Sequence, residues 1–166
     1  MHDLFDDLCA RGISAVEELI AERREESLHL EYMQVDIRGS DALTRDDKKR
    51  IAKAACGMAN AEGGLILVGV ASRKAEGLDV ADAIVPLTQA ATVRSRLVSA
   101  LPEMLGPQHP GLAVVFIPTR PDTTEGVLAV SVPSSDRRPH MSIPEQRYFR
   151  GAARARRSCC TARCET

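Results

Sequence analysis

A chain of 166 residues with a formal net charge of −1 fits one domain and excludes a polycation that would bind nucleic acid over its whole surface. Hydrophobic residues make up 44% of the chain and charged residues 27%, which is ordinary for a globular protein. Aromatic residues make up 3%, so the core is expected to be aliphatic, and this scarcity weakens the case for single-strand binding by base stacking.

The N-terminal region predicts helix over residues 3–24, broken at Gly12, with Ser14 and Glu17 forming a capping box for the second part. The chain has no run of 18 apolar residues, so no membrane span is predicted. Its first residues, MHDLFDDLCA, lack the pattern of a signal peptide, so we expect a cytoplasmic protein.

The stretch EESLHLEY alternates like the start of a strand, and a strand is predicted over residues 28–37. Its apolar phase slips between Tyr32 and Met33, which a bulge would explain. Glu26 and Glu31 can converge only if the first lies at a helix end and the second in the strand. Two carboxylates with a third ligand would suit Mg²⁺ or Mn²⁺, whereas ordinary surface glutamates, or pairing of Glu31 with a base such as Arg150, would be structural.

Residues 44–60 carry the strongest helical pattern, with a capping box between Thr44 and Asp47. Basic side chains crowd the first half of this helix, among them Lys48, Lys49 and Lys53. Either they form a solvated helix face or they contact phosphate.

The second half of the chain mixes short strands, turns and one helix. Strands are predicted at 65–70, 112–117, 127–132 and 146–150, a helix at 88–104, a polar turn at 73–77 and a loop at 133–144. The 65–70 segment is apolar throughout and is expected to be buried on both faces. This mixture predicts an α+β fold, with a mixed, largely antiparallel sheet packed with helices.

The end of the chain is basic. Arginines that could contact phosphate are Arg147, Arg150 and Arg154, and residues 154–166 form a tail that we expect to be disordered. The tail cysteines form a CCxxxC group without a clear fourth zinc ligand, so no zinc site is predicted there. Cys9 and Cys56 fall in helical patterns and are expected to be buried thiols.

Nucleotide-binding motifs are missing from the sequence. It contains neither GxxxxGK[ST] nor GxGxxG, and Gly63-Gly64 precedes a strand rather than a helix, so no phosphate-loop motif supports ATP as a cofactor. The four histidines lie in no recognisable nucleophile context.

The order of several short motifs resembles the Schlafen AlbA-type domain of bacterial proteins and animal Schlafens. The matching residues are Glu26, Leu30-Glu31-Tyr32, Ala59-Asn60-Ala61-Glu62-Gly63-Gly64, Gly69-Val70, Val132-Pro133-Ser134, Pro139-His140 and Tyr148-Phe149-Arg150-Gly151. The resemblance covers residues 25–153, which we take as the domain, preceded by a helical segment at 1–24 and followed by the tail at 154–166. It implies an α+β fold and RNA or DNA as partner.

Some members of this family are metal-dependent endoribonucleases that act on tRNA and rRNA through two glutamates spaced as Glu26 and Glu31 are. Their third acid would fall near Ala71-Ser72, where this chain has none, although Asp36 or Asp79 could substitute. Met33 replaces the family's usual lysine. The leading function that the resemblance implies is therefore that of a nucleic-acid-binding domain. One alternative is a metal-dependent endoribonuclease. The other is a nucleotide-sensing or transcription-regulatory interaction module, which could be a homodimer.

Overall fold

The computed structural model describes residues 2–35 and 42–150. Within these ranges the helices are α1 His2–Arg11, α2 Ile13–Ala21, α3 Arg45–Ala59 and α4 Ala90–Ala100, with a 3-10 turn at Pro102–Met104. The strands are β1 Leu30–Met33, β2 Gly63–Val68, β3 Val70–Ala75, β4 Leu78–Ile84, β5 Leu105–Gly106, β6 Ala113–Pro118, β7 Gly126–Pro133, β8 Met141–Ser142 and β9 Arg147–Tyr148. None of these helices is long and apolar enough to cross a membrane.

The central sheet has the strand order β1-β2-β7-β6. β1 runs parallel to β2, with Glu31 opposite Ile66, and the other neighbours are antiparallel. Strands β3 and β4 form a separate antiparallel hairpin, and β5, β8 and β9 form a small three-stranded sheet. The predicted α+β fold with a largely antiparallel sheet is confirmed.

The central sheet is covered on both faces. On one face, α1 and α2 bury Leu8, Val16 and Leu19 in a cluster with alternate residues of β1, β2 and β7. On the other face, α3 and α4 bury Ile51 and Leu97 against the remaining sheet residues. Every residue of β2 is buried, as its continuous apolar run predicts.

Strand β1 is shorter than predicted and contains no bulge. Tyr32 packs in the cluster under α1 and α2, whereas Met33 packs in the cluster under α3 and α4. The apparent slip in apolar phase is therefore the pattern of a strand that is buried on both faces. Residues 36–41, including the end of the predicted strand, lie outside the described ranges.

The predicted turn at 73–77 is wrong, because β3 continues to Ala75 and only Glu76 and Gly77 turn the chain into β4. Buried residues do not alternate with exposed ones along β3 and β4, which leaves little apolar periodicity from which to predict this hairpin. Gly69, with a φ of 101°, separates β2 from β3. The two-residue strands β5 and β8 were not predicted.

Of the two helix N-caps that the sequence predicts, the structure confirms one. The Thr44 side chain caps α3 and accepts the Asp47 N–H at 3.1 Å, as predicted. The capping box at Ser14 is wrong, because Gly12 occupies the N-cap of α2 and the Ser14 hydroxyl donates instead to the Arg11 carbonyl at 2.8 Å. The Cys56 thiol is buried as expected, whereas Cys9 is exposed, contrary to expectation.

Candidate functional site: an acidic pair and a basic face

The end of α2 places Glu26 beside the edge of the sheet. Arg23 adopts a left-handed φ of 51° immediately after the helix and redirects the chain. The following segment runs beside β4, where the Ala81 N–H donates to the Arg24 carbonyl at 3.0 Å and the Glu26 N–H donates to the Asp79 carbonyl at 2.8 Å. Glu26 therefore lies in an extended segment at the hairpin, after the helix has ended.

The two glutamates of the predicted pair lie close together. β1 carries Glu31 at the edge of the central sheet, and the Tyr32 N–H of the same strand donates to Oε1 of Glu26 at 3.3 Å. Burial raises the pKa of Glu26 above its ordinary value, and the negative charge of Glu31 raises it further. Hydrogen bonds from Tyr32 N–H and the Ser72 hydroxyl oppose this rise, and the charge of Asp79 adds to it.

A serine stands where the family resemblance places a third acid. Ser72 hydrogen-bonds to the Glu26 side chain, and Asp79 lies near enough to influence the pKa of Glu26. Met33 is buried in the core at 1% exposure, so the position of the family's lysine is a packing position here. Asp36, the other possible substitute, lies outside the described ranges.

These carboxylates do not fit a divalent metal as they are placed. Residues 2–35 and 42–150 contain no group of three His, Cys, Asp or Glu side chains arranged to hold an ion. Glu26 already accepts two hydrogen bonds, and its raised pKa opposes the charged form that a metal ligand needs. We therefore derive no metal-dependent step from this pair.

An open groove of about 950 Å³ adjoins Glu26. Its lining includes the segment 22–27, with Leu4, His29, Leu30 and Glu62. The Nδ1 of His29 lies 2.8 Å from the Gly63 carbonyl oxygen and must carry the ring proton to donate to it. The groove presents side chains of both charges, so its electrostatics favour no polyanion.

Asn60 joins three of the sequence motifs through its side chain. Its amide nitrogen donates to the carbonyls of His140 at 2.7 Å and Phe149 at 2.8 Å, and its Oδ1 accepts the His140 N–H at 2.6 Å. The Cys56 thiol donates to the same His140 carbonyl at 3.1 Å. The Asn-x-Glu-Gly-Gly, Pro-His and aromatic-Arg-Gly motifs thus meet at one polar side chain with a structural role.

His140 is buried and held by its own pair of hydrogen bonds. Nδ1 donates to the Pro107 carbonyl at 2.6 Å, so Nε2 accepts from the Ser135 hydroxyl at 2.6 Å. Its ring stacks on the buried ring of His109, with centroids 5.3 Å apart. His140 and Ser135 are both almost fully enclosed, which indicates a structural pair.

The structure brings two of the predicted basic stretches together. The Lys53 Nζ lies 5.1 Å from the centroid of the Phe149 ring, in a cation–π geometry. Phe149 is followed by the exposed Arg150, and Arg147 of β9 is exposed as well. Lys49, one helical turn before Lys53, lies on the same side of α3.

Two other predicted phosphate contacts do not join this group. Lys48 lines a small cavity beside α4, with Val93 and Arg96. Arg154 lies outside the described ranges, as does the tail at 154–166 with Cys159, Cys160 and Cys164. We call Lys49, Lys53, Arg147 and Arg150 the basic face.

Fold and motif contacts together define an α+β domain of Schlafen AlbA type. A family model described as Schlafen, AlbA_2 matches residues 26–159, so the chain belongs to this family. Comparison with curated proteins found no match.

One solved structure with a similar fold is the solution NMR structure of the N-terminal domain of a "Putative ATP-dependent DNA Helicase RecG-related Protein" from Nitrosomonas europaea. The two chains are 22% identical and superpose with a TM-score of 0.52, over 99% of this chain and 92% of the other. At this identity the likeness concerns the fold.

Two features of the site were missed by sequence reasoning. The motif residues Asn60 and His140 stand out in the sequence, but their 80-residue separation hides the contact between them. The exposure of Tyr148 was missed too, since a short strand of two residues gives no periodicity from which to assign an outward face.

Proposed function

We propose that this protein is a nucleic-acid-binding domain that contacts mainly the phosphate backbone of RNA or DNA. Family membership supports a nucleic-acid-related role. The observation that carries the proposal is the Lys53–Phe149 contact, because it joins the basic side of α3 to the Arg147–Arg150 segment. A chain with a net charge of −1 needs such a local concentration of positive charge to attract a polyanion.

The basic residues of α3 differ in their availability for phosphate. Arg50 donates to the Gln34 carbonyl at 3.0 Å and lies 3.6 Å from the buried carboxylate of Asp47. Lys48 lies towards α4. Lys49 and Lys53 are therefore the α3 residues that we expect to act with Arg147 and Arg150.

The test is a binding titration by fluorescence anisotropy with labelled RNA and DNA over a series of salt concentrations. Lys49→Gln and Arg150→Gln are expected to weaken binding and to reduce the salt slope by about 1 each, because each removes one phosphate contact. Lys74→Gln and Arg120→Gln are matched controls on exposed residues outside the basic face and should behave as the wild type. Binding that is absent at low salt, or that does not depend on salt, would contradict the proposal.

The endoribonuclease alternative is favoured by the proximity of Glu26 and Glu31 and opposed by the lack of a third carboxylate in a suitable position among the described residues. Incubation of tRNA with the protein and Mg²⁺ or Mn²⁺, beside EDTA and Glu31→Ala, separates it from the binding proposal. We expect intact RNA. Metal-dependent cleavage that Glu31→Ala abolishes, and that a Glu17→Ala control retains, would instead favour the nuclease.

The regulatory alternative remains a prediction of the family resemblance. A nucleotide-sensing or homodimeric module would bind ATP or run as a dimer without binding a polynucleotide. Light scattering and an ATP titration on the same protein preparation test this alternative. A dimer that fails to bind either RNA or DNA at low salt would favour it over the basic-face proposal.

A further inference from the structure

Tyr148 presents its ring to solvent. The residue is 47% exposed. The other aromatic residues in the described ranges are buried or half-buried: Phe5, Tyr32, Phe116 and Phe149. A tyrosine ring that is about half exposed is available for contact with a ligand.

The backbone at Tyr148 and Phe149 is anchored by the small sheet and by Asn60. Tyr148 pairs with Met141 in the small sheet, in which β9 occupies an edge. The next residue, Phe149, is buried, and its carbonyl accepts the Asn60 amide at 2.8 Å. Because successive residues at a strand face opposite sides, anchoring Phe149 inward directs Tyr148 outward.

Exposed positive charge lies next to this ring along the chain. Arg150 follows Tyr148 two residues later, so their Cα atoms lie within about 7 Å of each other, and the same alternation directs both side chains outward. Arg150 is exposed. Arg147 and Lys53 belong to the side of the neighbouring Phe149, over whose ring Lys53 stands. An exposed aromatic ring beside an exposed arginine matches the combination by which single-stranded nucleic acids are bound, with a base on the ring and a phosphate at the cation.

We propose that Tyr148 stacks on an unpaired base and that the preferred ligand is therefore single-stranded nucleic acid. This inference rests on the proposed nucleic-acid-binding function and names its substrate class. A base in a duplex is already stacked on its neighbours and offers only its edges in the grooves, so the Tyr148 ring would gain little from a duplex. The low aromatic content of the chain does not oppose this, since a single well-placed ring is enough for one stacking contact.

The first experiment compares labelled oligonucleotides of about 15 nucleotides, close to the upper site size of common single-strand modules, as single strands and as duplexes. Tyr148→Ala is expected to weaken single-strand binding by roughly 5- to 100-fold, the range that loss of one base–aromatic stack predicts. Duplex binding should change little. Tyr148→Phe keeps the ring and should bind as the wild type, as should Ile143→Ala, which removes another exposed apolar side chain of the same hairpin.

Intrinsic fluorescence supplies an independent readout. The chain has two tyrosines and no tryptophan, so Tyr32→Phe leaves Tyr148 as the sole tyrosine. The Tyr32 hydroxyl has no hydrogen-bond partner, and its removal is therefore expected to preserve the fold. Emission from Tyr148 should fall on addition of unlabelled single strand and remain constant on addition of duplex.

The outcomes separate this inference from the proposed function. If the wild type binds in a salt-dependent way but Tyr148→Ala binds single strands equally well, or loses duplex binding to the same degree, the stacking inference is overturned and the basic-face proposal stands. If the wild type binds neither single strand nor duplex at low salt, both are overturned. Loss confined to single strands, together with quenching, supports the inference.

Discussion

At the scale of single residues, Asn60 connects distant parts of the described structure through one polar side chain. It lies at the end of α3 and bonds to two backbone segments that follow 80 and 89 residues later. The Asn60 amide is thereby one of the contacts that attach the segment carrying Arg147 and Arg150 to the core, beside the buried Phe149 side chain. The family's Asn-x-Glu-Gly-Gly motif is thus explained here by architecture rather than by direct ligand contact.

Asn60→Ala is expected to destabilise the protein by about 2–4 kcal/mol, because the His140 N–H and the Phe149 carbonyl lose their partner. The melting temperature should fall by roughly 5–15 °C, which differential scanning fluorimetry would detect. Gln89→Ala is the control, since Gln89 makes no side-chain cap hydrogen bond at the start of α4. A variant as stable as the wild type would show that water replaces the amide at little cost.

Glu26 predicts a pH dependence of stability. Burial and the charge of Glu31 raise the pKa of Glu26 above 4.5 in the folded state, so the folded protein binds this proton more tightly than the unfolded chain does. The stability contributed by the protonated form is present below pH 4.5 and is lost as the pH rises through the raised pKa. Glu26→Gln, which stays neutral, should therefore be more stable than the wild type at pH 7.

Urea unfolding of Glu26→Gln at pH 4 and pH 7 measures this effect. The stability advantage of Glu26→Gln over the wild type should be smaller at pH 4, where the Glu26 carboxyl of the wild type is largely neutral as well. Glu17→Gln, an exposed change on α2, serves as the control and should give no difference at either pH. Equal stability of Glu26→Gln and wild type at pH 7 would contradict the burial of the charge.

At the scale of elements, the turn between α3 and β2 is tightly constrained at Gly63. Gly63 has a φ of 82°, and a Cβ placed there would lie 2.7 Å from the backbone nitrogen of Ser134 and 2.7 Å from the Val132 carbonyl oxygen. Only glycine permits both this backbone conformation and the close approach of β7. The requirement for glycine at this position of the motif is thus steric and lies in the pairing of β2 with β7.

Gly63→Ala and Gly77→Ala form a matched pair, because both residues have a φ of 82° but the Cβ at position 77 would meet nothing within 4 Å. Gly77→Ala should cost roughly 1–2 kcal/mol, the conformational penalty alone. Gly63→Ala should cost about 2 kcal/mol more, because the backbone of β7 must move. Chemical denaturation gives both values, and equal costs would show that β7 yields without strain.

At the scale of the whole molecule, the central sheet needs a helical layer on each face. The N-terminal helices cover one face, with Leu8 at 1% exposure in a cluster that includes Leu65 and Leu67 of β2. Helices α1 and α2, which lie in the segment 1–24 that the sequence predicts as separate, therefore contribute to the same core as the sheet. The division of the chain into segment and domain stays a prediction, whereas the packing between them is a feature of the fold.

Leu8→Ala is expected to destabilise the whole domain by about 2–5 kcal/mol, as large-to-small core substitutions do. Leu28→Ala removes a side chain that is 43% exposed and should change stability by less than about 0.5 kcal/mol. Urea unfolding followed by circular dichroism reports on the sheet and the helices together. A biphasic curve for Leu8→Ala, with only a minor early phase shifted, would mean that the N-terminal helices unfold independently.

The sequence alone determined the α+β class, the existence of α3, β2, β6 and β7, and the Thr44 cap, because these depend on local periodicity and on side chains three residues apart. It failed for the β3–β4 hairpin and for the apparent slip in β1. Burial in β3 and β4 is confined to a few residues that do not alternate with exposed ones, and β1 is buried on both faces, so neither shows the alternation on which strand prediction depends.

Tertiary structure alone decided which distant residues meet. The proximity of Glu26 to Glu31 and Ser72, the bonds from Asn60 to His140 and Phe149, and the stacking of Lys53 on Phe149 all join segments whose separation in the chain carries no periodic signal. The sequence motifs marked some of these positions, but long-range contacts made by side chains set their roles. The sequence could thus nominate the basic residues, and only the packing of α3 against the C-terminal segment brings Lys53 to Phe149, between Arg147 and Arg150 in the chain.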